Sequence, residues 1–151
     1  MTWRRFKQHI MRRLINFYGP FLGAGIKVVS TSPDYRDILV RMKMHFWTRN
    51  YVGSHFGGSL YAMTDPFYML MMIENLGPEY IVWDKAALIR FKRPGLGTVT
   101  ARFTLTQAQL DEVRTVLATQ PKYEPVYQVQ VVDEQGVVVA EVDKTLHIRK
   151  K

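Results

Sequence analysis

The 151-residue sequence contains no cysteine. This absence excludes disulfide bonds, cysteine-ligated zinc sites and thiol nucleophiles. The histidines and acidic residues show none of the spacings typical of metal sites, and the sequence has no nucleophile elbow and no phosphate-binding loop. We therefore expect no metal and no tightly bound cofactor.

A long apolar segment is also missing. No apolar run approaches the roughly eighteen residues that a membrane-spanning helix needs. The basic stretch Thr2–Lys7 is followed by neither a long apolar core nor a cleavage site, which a signal peptide would require. These observations predict a soluble, cytoplasmic protein.

The composition fits one globular domain over residues 1–151, divided into an N-terminal helix (1–19) and a core (20–149). Hydrophobic residues make up 47% of the chain, which excludes a disordered class. The formal net charge is +8, so the protein is attracted to polyanions. Nucleic acid, an anionic membrane surface and a phosphorylated small molecule all fit this charge, and charge alone does not choose between them.

An amphipathic helix is predicted over residues 3–17. Its apolar side chains recur every three or four positions, at Trp3, Phe6, Ile10, Leu14 and Phe17. We expect this helix to pack against the domain; the alternative is weak contact with a membrane surface or another polyanion. A nucleic acid partner is not expected, because no basic patch is interleaved with aromatic residues on which bases could stack.

One buried helix is predicted near the middle of the chain. Residues 58–76 are apolar nearly all round, which is typical of a helix without a solvent face. The flanking segments alternate with period two, and turn residues mark hairpins at 33–34 and 133–136. The simplest packing is an α+β fold, with about six antiparallel strands wrapped around one long helix (about 57–76) and the extra N-terminal helix outside.

The candidate site spans Asn50 to Asp65. Gly57 and Gly58 begin the buried helix, where unpaired backbone N–H groups can polarise a carbonyl. Asp65 lies seven residues beyond Gly58, about two turns and roughly 10 Å along a regular helix. Because a carboxylate in an apolar helix costs free energy without a partner or a function, we interpret Asp65 as functional. The alternative is a structural aspartate that bonds loop backbone.

The pattern Asn50-x₄-His55-Phe56-Gly57-Gly58-x₆-Asp65 resembles a known motif. It is similar to the Asn…His-Gly-Gly…Asp pattern of hot-dog fold acyl-CoA thioesterases of the phenylacetate-pathway type. The segment His55-Phe56-Gly57-Gly58-Ser59-Leu60, with Asp65-Pro66, resembles more closely a largely uncharacterised bacterial branch of thioesterase-like hot-dog domains. The order of elements agrees with a sheet wrapped around one helix, over about residues 20–149.

This resemblance implies roles for the motif residues. The Gly58 amide, or that of Gly57, would polarise a thioester carbonyl, and Asp65 would activate water or attack the thioester. Asn50 would hold the loop or the water. His55 is displaced by one position, and Phe56 occupies the aligned histidine position. Coenzyme A would enter only as part of the substrate.

Other residues are candidates for substrate binding. Methionines on the buried helix, Met69 among them, form either core or an acyl tunnel. Lys92 and Arg93 belong to a basic group that is either a solvated face or a clamp for coenzyme A phosphates. Ser59 and Phe56 flank the glycines and complete the predicted binding set.

The spacing of Gly58 and Asp65 also predicts the assembly. A single thioester cannot easily touch both residues across roughly 10 Å of one helix. If the site is catalytic, it requires a homodimer or a dimer of dimers, and Pro66 kinks the helix beside Asp65. The alternative function is a non-catalytic module that binds an acyl chain, coenzyme A or an acyl carrier. The third is a basic membrane-surface or polyanion-binding protein.

Overall fold

A computed structural model describes residues 14–151. Within them, six strands form one antiparallel sheet in the order β1-β2-β4-β5-β6-β3. The strands are β1 (Ile26–Thr31), β2 (Asp37–Lys43), β3 (Tyr80–Phe91), β4 (Thr98–Thr104), β5 (Val126–Val132) and β6 (Val138–Lys150). The predicted α+β class with six antiparallel strands is confirmed, as are the two hairpins β1–β2 and β5–β6.

Four α-helices accompany the sheet in this part of the chain: α1 (Gly19–Ala24), α2 (Gly57–Ala62), α3 (Phe67–Leu76) and α4 (Gln107–Thr119). Residues 3–13 of the predicted N-terminal helix lie outside the described residues, and Ile15–Phe17 form a single 3₁₀ turn. Helix α1 was not predicted. It begins at Gly19-Pro20, directly after the predicted helix over residues 3–17, because proline suits the first turn of a helix.

The predicted helical segment 57–76 lies against the sheet in two pieces, α2 and α3. Pro66 has no N–H, so a continuous helix would lose a hydrogen bond there. Instead, the N–H groups of Thr64 and Asp65 reach back only three residues, to the carbonyls of Tyr61 and Ala62. Asp65 therefore lies at a tight turn between two helices, not inside a regular helix.

The core lies between the sheet and the helices that cover its inner face. Phe67, Tyr68, Met71 and Met72 of α3 are buried, and the Phe67 ring packs 4.9 Å from that of Phe103 on β4. Burial of each such side chain stabilises the fold by about 1.5–3 kcal/mol. Helix α4 buries Leu110, Val113 and Leu117, and the Thr106–Gln109 capping box fixes its start.

Strand β3 is an edge strand of twelve residues that pairs only with β6 among the described strands. A bulge at Lys85 shifts its register between Asp84 and Ala86. The shift places Ala87 opposite Lys144 of β6 and Phe91 opposite Ala140. Ala87 and Phe91 remain exposed at this end of the inner face.

Candidate functional site

Asp65 is held by one oxygen of its carboxylate. Its Oδ1 accepts a hydrogen bond of 2.9 Å from the Tyr61 hydroxyl and another of 2.9 Å from Lys144 Nζ. From residue 14 onward, no group bonds its Oδ2, and the side chain is 47% exposed. The turn at Pro66 thus presents a carboxylate that is anchored on one side and open on the other.

Lys144 provides the cationic partner from inside the sheet. It occupies an inward position of β6 between Val142 and Leu146, and all three side chains are fully buried. Its Nζ lies 3.4 Å from the Tyr61 hydroxyl and 5.1 Å from the centroid of the Tyr61 ring. The ammonium is therefore enclosed by groups that compensate for its lost hydration.

Asp84 is the second carboxylate beside this ammonium. Its Oδ1 lies 3.2 Å from Lys144 Nζ, within ion-pair range but without hydrogen-bond geometry, so this buried oxygen has no hydrogen-bond partner in the described chain. The site contains two carboxylates and one ammonium. It therefore has a net negative charge when all three groups are ionised.

The environment fixes the protonation of the groups around Asp65. Burial alone lowers the pKa of Lys144, but the hydrogen bond to Asp65 and the charge of Asp84 outweigh it and raise the pKa overall, so the amine stays protonated. Burial and the hydrogen bond to Asp65 raise the pKa of the Tyr61 hydroxyl, which remains a donor. Burial also raises the pKa of Asp84, against the opposing effect of Lys144.

Asn50 organises the loop that leads into α2. Its Oδ1 accepts from the N–H groups of Val52 and Ser54, and its Nδ2 donates to Ser54 Oγ and the His55 carbonyl. These four bonds engage both polar atoms of the amide. Of the two roles expected for Asn50, the structure shows the one that holds the loop.

His55 is buried beneath this loop, with 2% of its surface exposed. Its Nε2 lies 3.0 Å from the Gly97 carbonyl, which can only accept, so Nε2 carries the proton and donates. Its Nδ1 is buried and has no partner among residues 14–151. Burial lowers the pKa of His55, because the charged form would bury a second N–H without an acceptor.

Gly57 and Gly58 occupy the first two positions of α2, after Phe56 as N-cap. No acceptor in the described part of the chain bonds their N–H groups. Both glycines lie under aromatic rings: a Cβ atom at Gly57 would lie 3.0 Å from the Phe91 ring, and one at Gly58 would overlap the Phe56 ring. The absence of a side chain here permits close ring packing as well as open N–H donors.

An open cavity of about 400 Å³ lies beside this loop. Its walls bring together several predicted site residues, namely Asn50, His55, Gly57, Lys92 and Arg93. Lys92 also pairs with Glu141 at 3.0 Å. The cavity therefore brings the first residue of α2 together with two cationic side chains.

The structure does not bring Asp65 into this cavity. Phe91 at the cavity lies opposite Ala140, and Lys144 lies four residues farther along β6. Four strand residues span about 13 Å. Within one chain, Gly57 at the cavity is thus separate from the cluster of Asp65 and Lys144.

The other predicted binding residues lie outside the cavity wall. Ser59 is half-buried on α2, where its N–H bonds the Phe56 carbonyl. Phe56 is 58% exposed over Gly58, and Met69 is half-buried on α3 and packs against the core.

Lys144, Asp84 and Tyr61 were not predicted as a site. A signal for Lys144 is present in the sequence, because period two places it on the apolar face of β6 with Val142 and Leu146. The sequence does not reveal the bulge at Lys85 that fixes the register of Asp84 against β6.

No group of three His, Asp or Glu side chains within residues 14–151 could hold a metal ion. No helix in the same range combines the length and apolar character needed to cross a bilayer.

Known structures share this architecture. A Pseudomonas aeruginosa protein, PA5026, described as of unknown function and a probable thioesterase, aligns with a TM-score of 0.81 at 22% identity, over 95% of this chain and 96% of that one. The E. coli PaaI protein from the phenylacetic acid degradation operon aligns with a TM-score of 0.66 at 19% identity, over 98% and 94%. The Haemophilus influenzae thioesterase HI1161 aligns with a TM-score of 0.67 at 18% identity, over 91% and 87%. At these identities the likeness establishes the fold.

The sequence comparisons place the chain in a family. No curated protein matches it. Residues 7–148 match a family described as "Domain of unknown function". The chain therefore belongs to this family, DUF4442, and has the thioesterase-like hot-dog fold that its sequence motif predicted.

Proposed function

We propose that this protein is a cytoplasmic, homo-oligomeric thioesterase that hydrolyses an acyl-CoA or a related acyl thioester. One observation carries the proposal: the Asp65 carboxylate is anchored through Oδ1, while its half-exposed Oδ2 has no partner from residue 14 onward. A carboxylate presented in this way suits a general base or a nucleophile. The thioesterase names of two similar structures support the proposal.

The reaction needs no metal and no cofactor. Asp65 either takes a proton from a water molecule that attacks the thioester carbonyl carbon, or attacks that carbon itself. In either route a C–O bond forms, the C–S bond breaks, and the departing thiolate takes up a proton. In the second route the new bond is that of a mixed anhydride, which a water molecule then hydrolyses to release the acid and restore the Asp65 carboxylate. The open N–H groups of Gly57 and Gly58 would stabilise the charge that develops on the carbonyl oxygen.

The separation of the two groups supports a site built from two protomers. Phe91, which packs over Gly57, lies opposite Ala140, and Ala140 is four strand residues or about 13 Å from Lys144, which binds Asp65. A single thioester carbonyl is therefore not expected to contact both ends within one chain. The outer edge of β3 offers a twelve-residue edge for pairing with a second copy. We place Gly57 and Gly58 of one protomer beside Asp65 of the other, in a homodimer or a dimer of dimers.

The cavity residues suit the coenzyme A portion of the substrate. Lys92 and Arg93 offer cationic donors to its phosphate groups. Phe56 and Ser59 would contact the acyl group near the thioester, and Met69 would line the path of the chain.

Steady-state hydrolysis of acetyl-, hexanoyl-, dodecanoyl- and phenylacetyl-CoA tests the proposal. The Asp65→Asn variant should lose a factor of about 10²–10⁴ in kcat/KM, which is the usual contribution of a positioned base. The matched control is Asp111→Asn, because Asp111 lies on α4 and pairs only at the surface with Arg114 and Gln107. Equal rates for wild type and Asp65→Asn, or no turnover of any substrate by the wild type, would contradict the proposal.

A second candidate function is a non-catalytic module that binds an acyl chain or coenzyme A. The packing of the Phe56 ring against Gly58 favours it, because the ring takes up space beside the glycine that a substrate would have to approach. Calorimetric binding of coenzyme A or dodecanoate, with no hydrolysis of the panel, would select this function.

A further inference from the structure

Lys144 occupies a position where a charged side chain is costly. Its neighbours on the inner face of β6 are apolar and fully buried, and its own side chain is 0% exposed. Replacement of a buried ion pair by packed apolar residues is often neutral or stabilising, so stability alone gives little reason for a lysine here. The carboxylates of Asp65 and Asp84 and the hydroxyl of Tyr61 surround its ammonium.

The contacts of Asp65 suggest what this lysine does. Two donors from different elements converge on one oxygen: Tyr61 of α2 and Lys144 of β6 each lie 2.9 Å from Oδ1. Two bonds at fixed positions restrict the rotation of the carboxylate, so the direction of Oδ2 is set by the sheet and the helix together. Asp84 is the second carboxylate at the ammonium, 3.2 Å from Nζ, and leaves the cluster with a net negative charge.

We propose that Lys144 is a positioning residue, which acts with Tyr61 to hold Oδ1 of Asp65 and to direct Oδ2 toward the thioester or its attacking water. This inference rests on the proposed function and deepens it. Lys144 itself donates no proton and forms no bond to substrate in this scheme.

Steady-state kinetics of variants test this role, with an acyl-CoA that the wild-type protein hydrolyses as the substrate. Lys144→Met should lower kcat about 100-fold, the usual consequence of a reacting group misplaced by about 1 Å. KM should stay within about threefold, because ground-state binding is not involved. Tyr61→Phe removes one of two donors and should cost about tenfold. Lys85→Met is the matched control, since Lys85 lies beside Asp84 in sequence but pairs with Glu124 on the outer face, and it should keep the wild-type rate.

A charge-conserving variant separates positioning from packing. The groups that face Asp65 are Lys144, Tyr61 and Asp84. Lys144→Arg keeps a cationic donor at this position, so its kcat should recover from the low value of Lys144→Met toward that of the wild type, with KM unchanged. Loss of packing alone would not make kcat follow the charge at residue 144.

A measurement without turnover distinguishes failure of this inference from failure of the proposed function. The ¹³Cγ NMR signal of Asp65 at neutral pH should shift in Lys144→Met, which lacks the donor to Oδ1, and should return toward its wild-type position in Lys144→Arg. If no thioester is hydrolysed but this pattern is found, only the proposed function fails. An unchanged signal and rate in folded Lys144→Met overturns the inference. If Lys144→Met does not fold, Tyr61→Phe with a wild-type kcat overturns it.

Discussion

Lys144 Nζ lies 2.9 Å from Asp65 Oδ1, so an ammonium from the apolar face of a strand is paired with a carboxylate at the turn between two helices. The pair joins the sheet to α2 and α3 at the point where Pro66 prevents a continuous helix. Lys144 is fully buried and Asp65 is half exposed. An unpaired ammonium would therefore cost the fold more free energy than an unpaired Asp65 carboxylate.

The two carboxylates around Lys144 should compensate for each other. Asp65→Asn or Asp84→Asn alone leaves the ammonium one ionised partner, and each should lower the free energy of unfolding by about 1 kcal/mol. The double variant leaves a buried ammonium without a carboxylate and should cost about 3–5 kcal/mol. Urea unfolding at neutral pH measures all three.

The control for these three variants is the same set of substitutions, Asp65→Asn and Asp84→Asn, in a Lys144→Met background. There, the double variant should cost little more than either single variant, because no buried charge is left uncompensated. If the loss of unfolding free energy in the double variant equals the sum of the two single losses in the wild-type background, the two carboxylates do not compensate for each other at Lys144.

Glu124 should make stability depend on pH in the acidic range. Hydrogen bonds from Lys85, His147 and Lys122 lower the pKa of Glu124 to about 2, from an unfolded value of about 4.5. Because the folded pKa is depressed, the stabilisation is fully present above the unfolded pKa and is lost as pH falls through about 2. Glu124→Gln should therefore be less stable than wild type at neutral pH, and the difference should shrink between about pH 4.5 and 2.

Urea unfolding at several pH values checks this prediction. Lys85 is the largest contributor to the depressed pKa, so the effect of Glu124→Gln should be smaller in a Lys85→Met background. A difference between wild type and Glu124→Gln that stays constant down to pH 2 would contradict the account.

Gly57 permits a test of the proposed backbone donor that leaves the helix intact. It is the first residue of α2, where proline is well accepted, and the preceding Phe56 has a ψ of 129°, which suits a residue before proline. Gly57→Pro should therefore fold normally but lose the N–H, and kcat should fall about 100-fold. Gly57→Ala crowds the Phe91 ring in the same way and keeps the N–H, so it should retain most of the rate. Equal losses in both variants would assign the effect to crowding of Phe91.

Much of the fold follows from local patterns. The segments that flank the central helices form strands, as expected, and the turn residues at 133–136 form the β5–β6 hairpin. These elements are predictable because each is specified by its own residues, through alternation and turn chemistry. The interruption at Pro66 is likewise local, since it depends on one missing N–H.

Only part of the candidate site could be predicted from the sequence, because the partners of Asp65 are brought to it by the register of distant strands. Asp65 stands out as a carboxylate in an apolar segment, but its partner Lys144 is 79 residues away in sequence. Asp84 faces that partner through the register that the Lys85 bulge imposes. The glycines were predictable as the start of a helix, whereas the rings of Phe56 and Phe91 above them follow from tertiary packing.

Mixing two inactive variants should restore activity if the site is shared. In the proposed dimer, Asp65→Asn disables one half of each site and Gly57→Pro the other half. A heterodimer then contains one site with both defects and one with neither. Random exchange makes half of the dimers heterodimers, so about a quarter of the wild-type activity should return under this two-fold symmetry.

The experiment uses purified variants that are mixed, exchanged in mild denaturant and assayed after dialysis. The control is the double variant Asp65→Asn/Gly57→Pro mixed with wild type, in which each heterodimer retains one defect in every site. That mixture should give about a quarter of the wild-type rate, because only the wild-type homodimers remain active. If each site lay within one protomer, the first mixture would stay inactive and the second would keep half of the wild-type rate. Together the two mixtures decide whether Gly57 and Asp65 act on the same thioester from different chains.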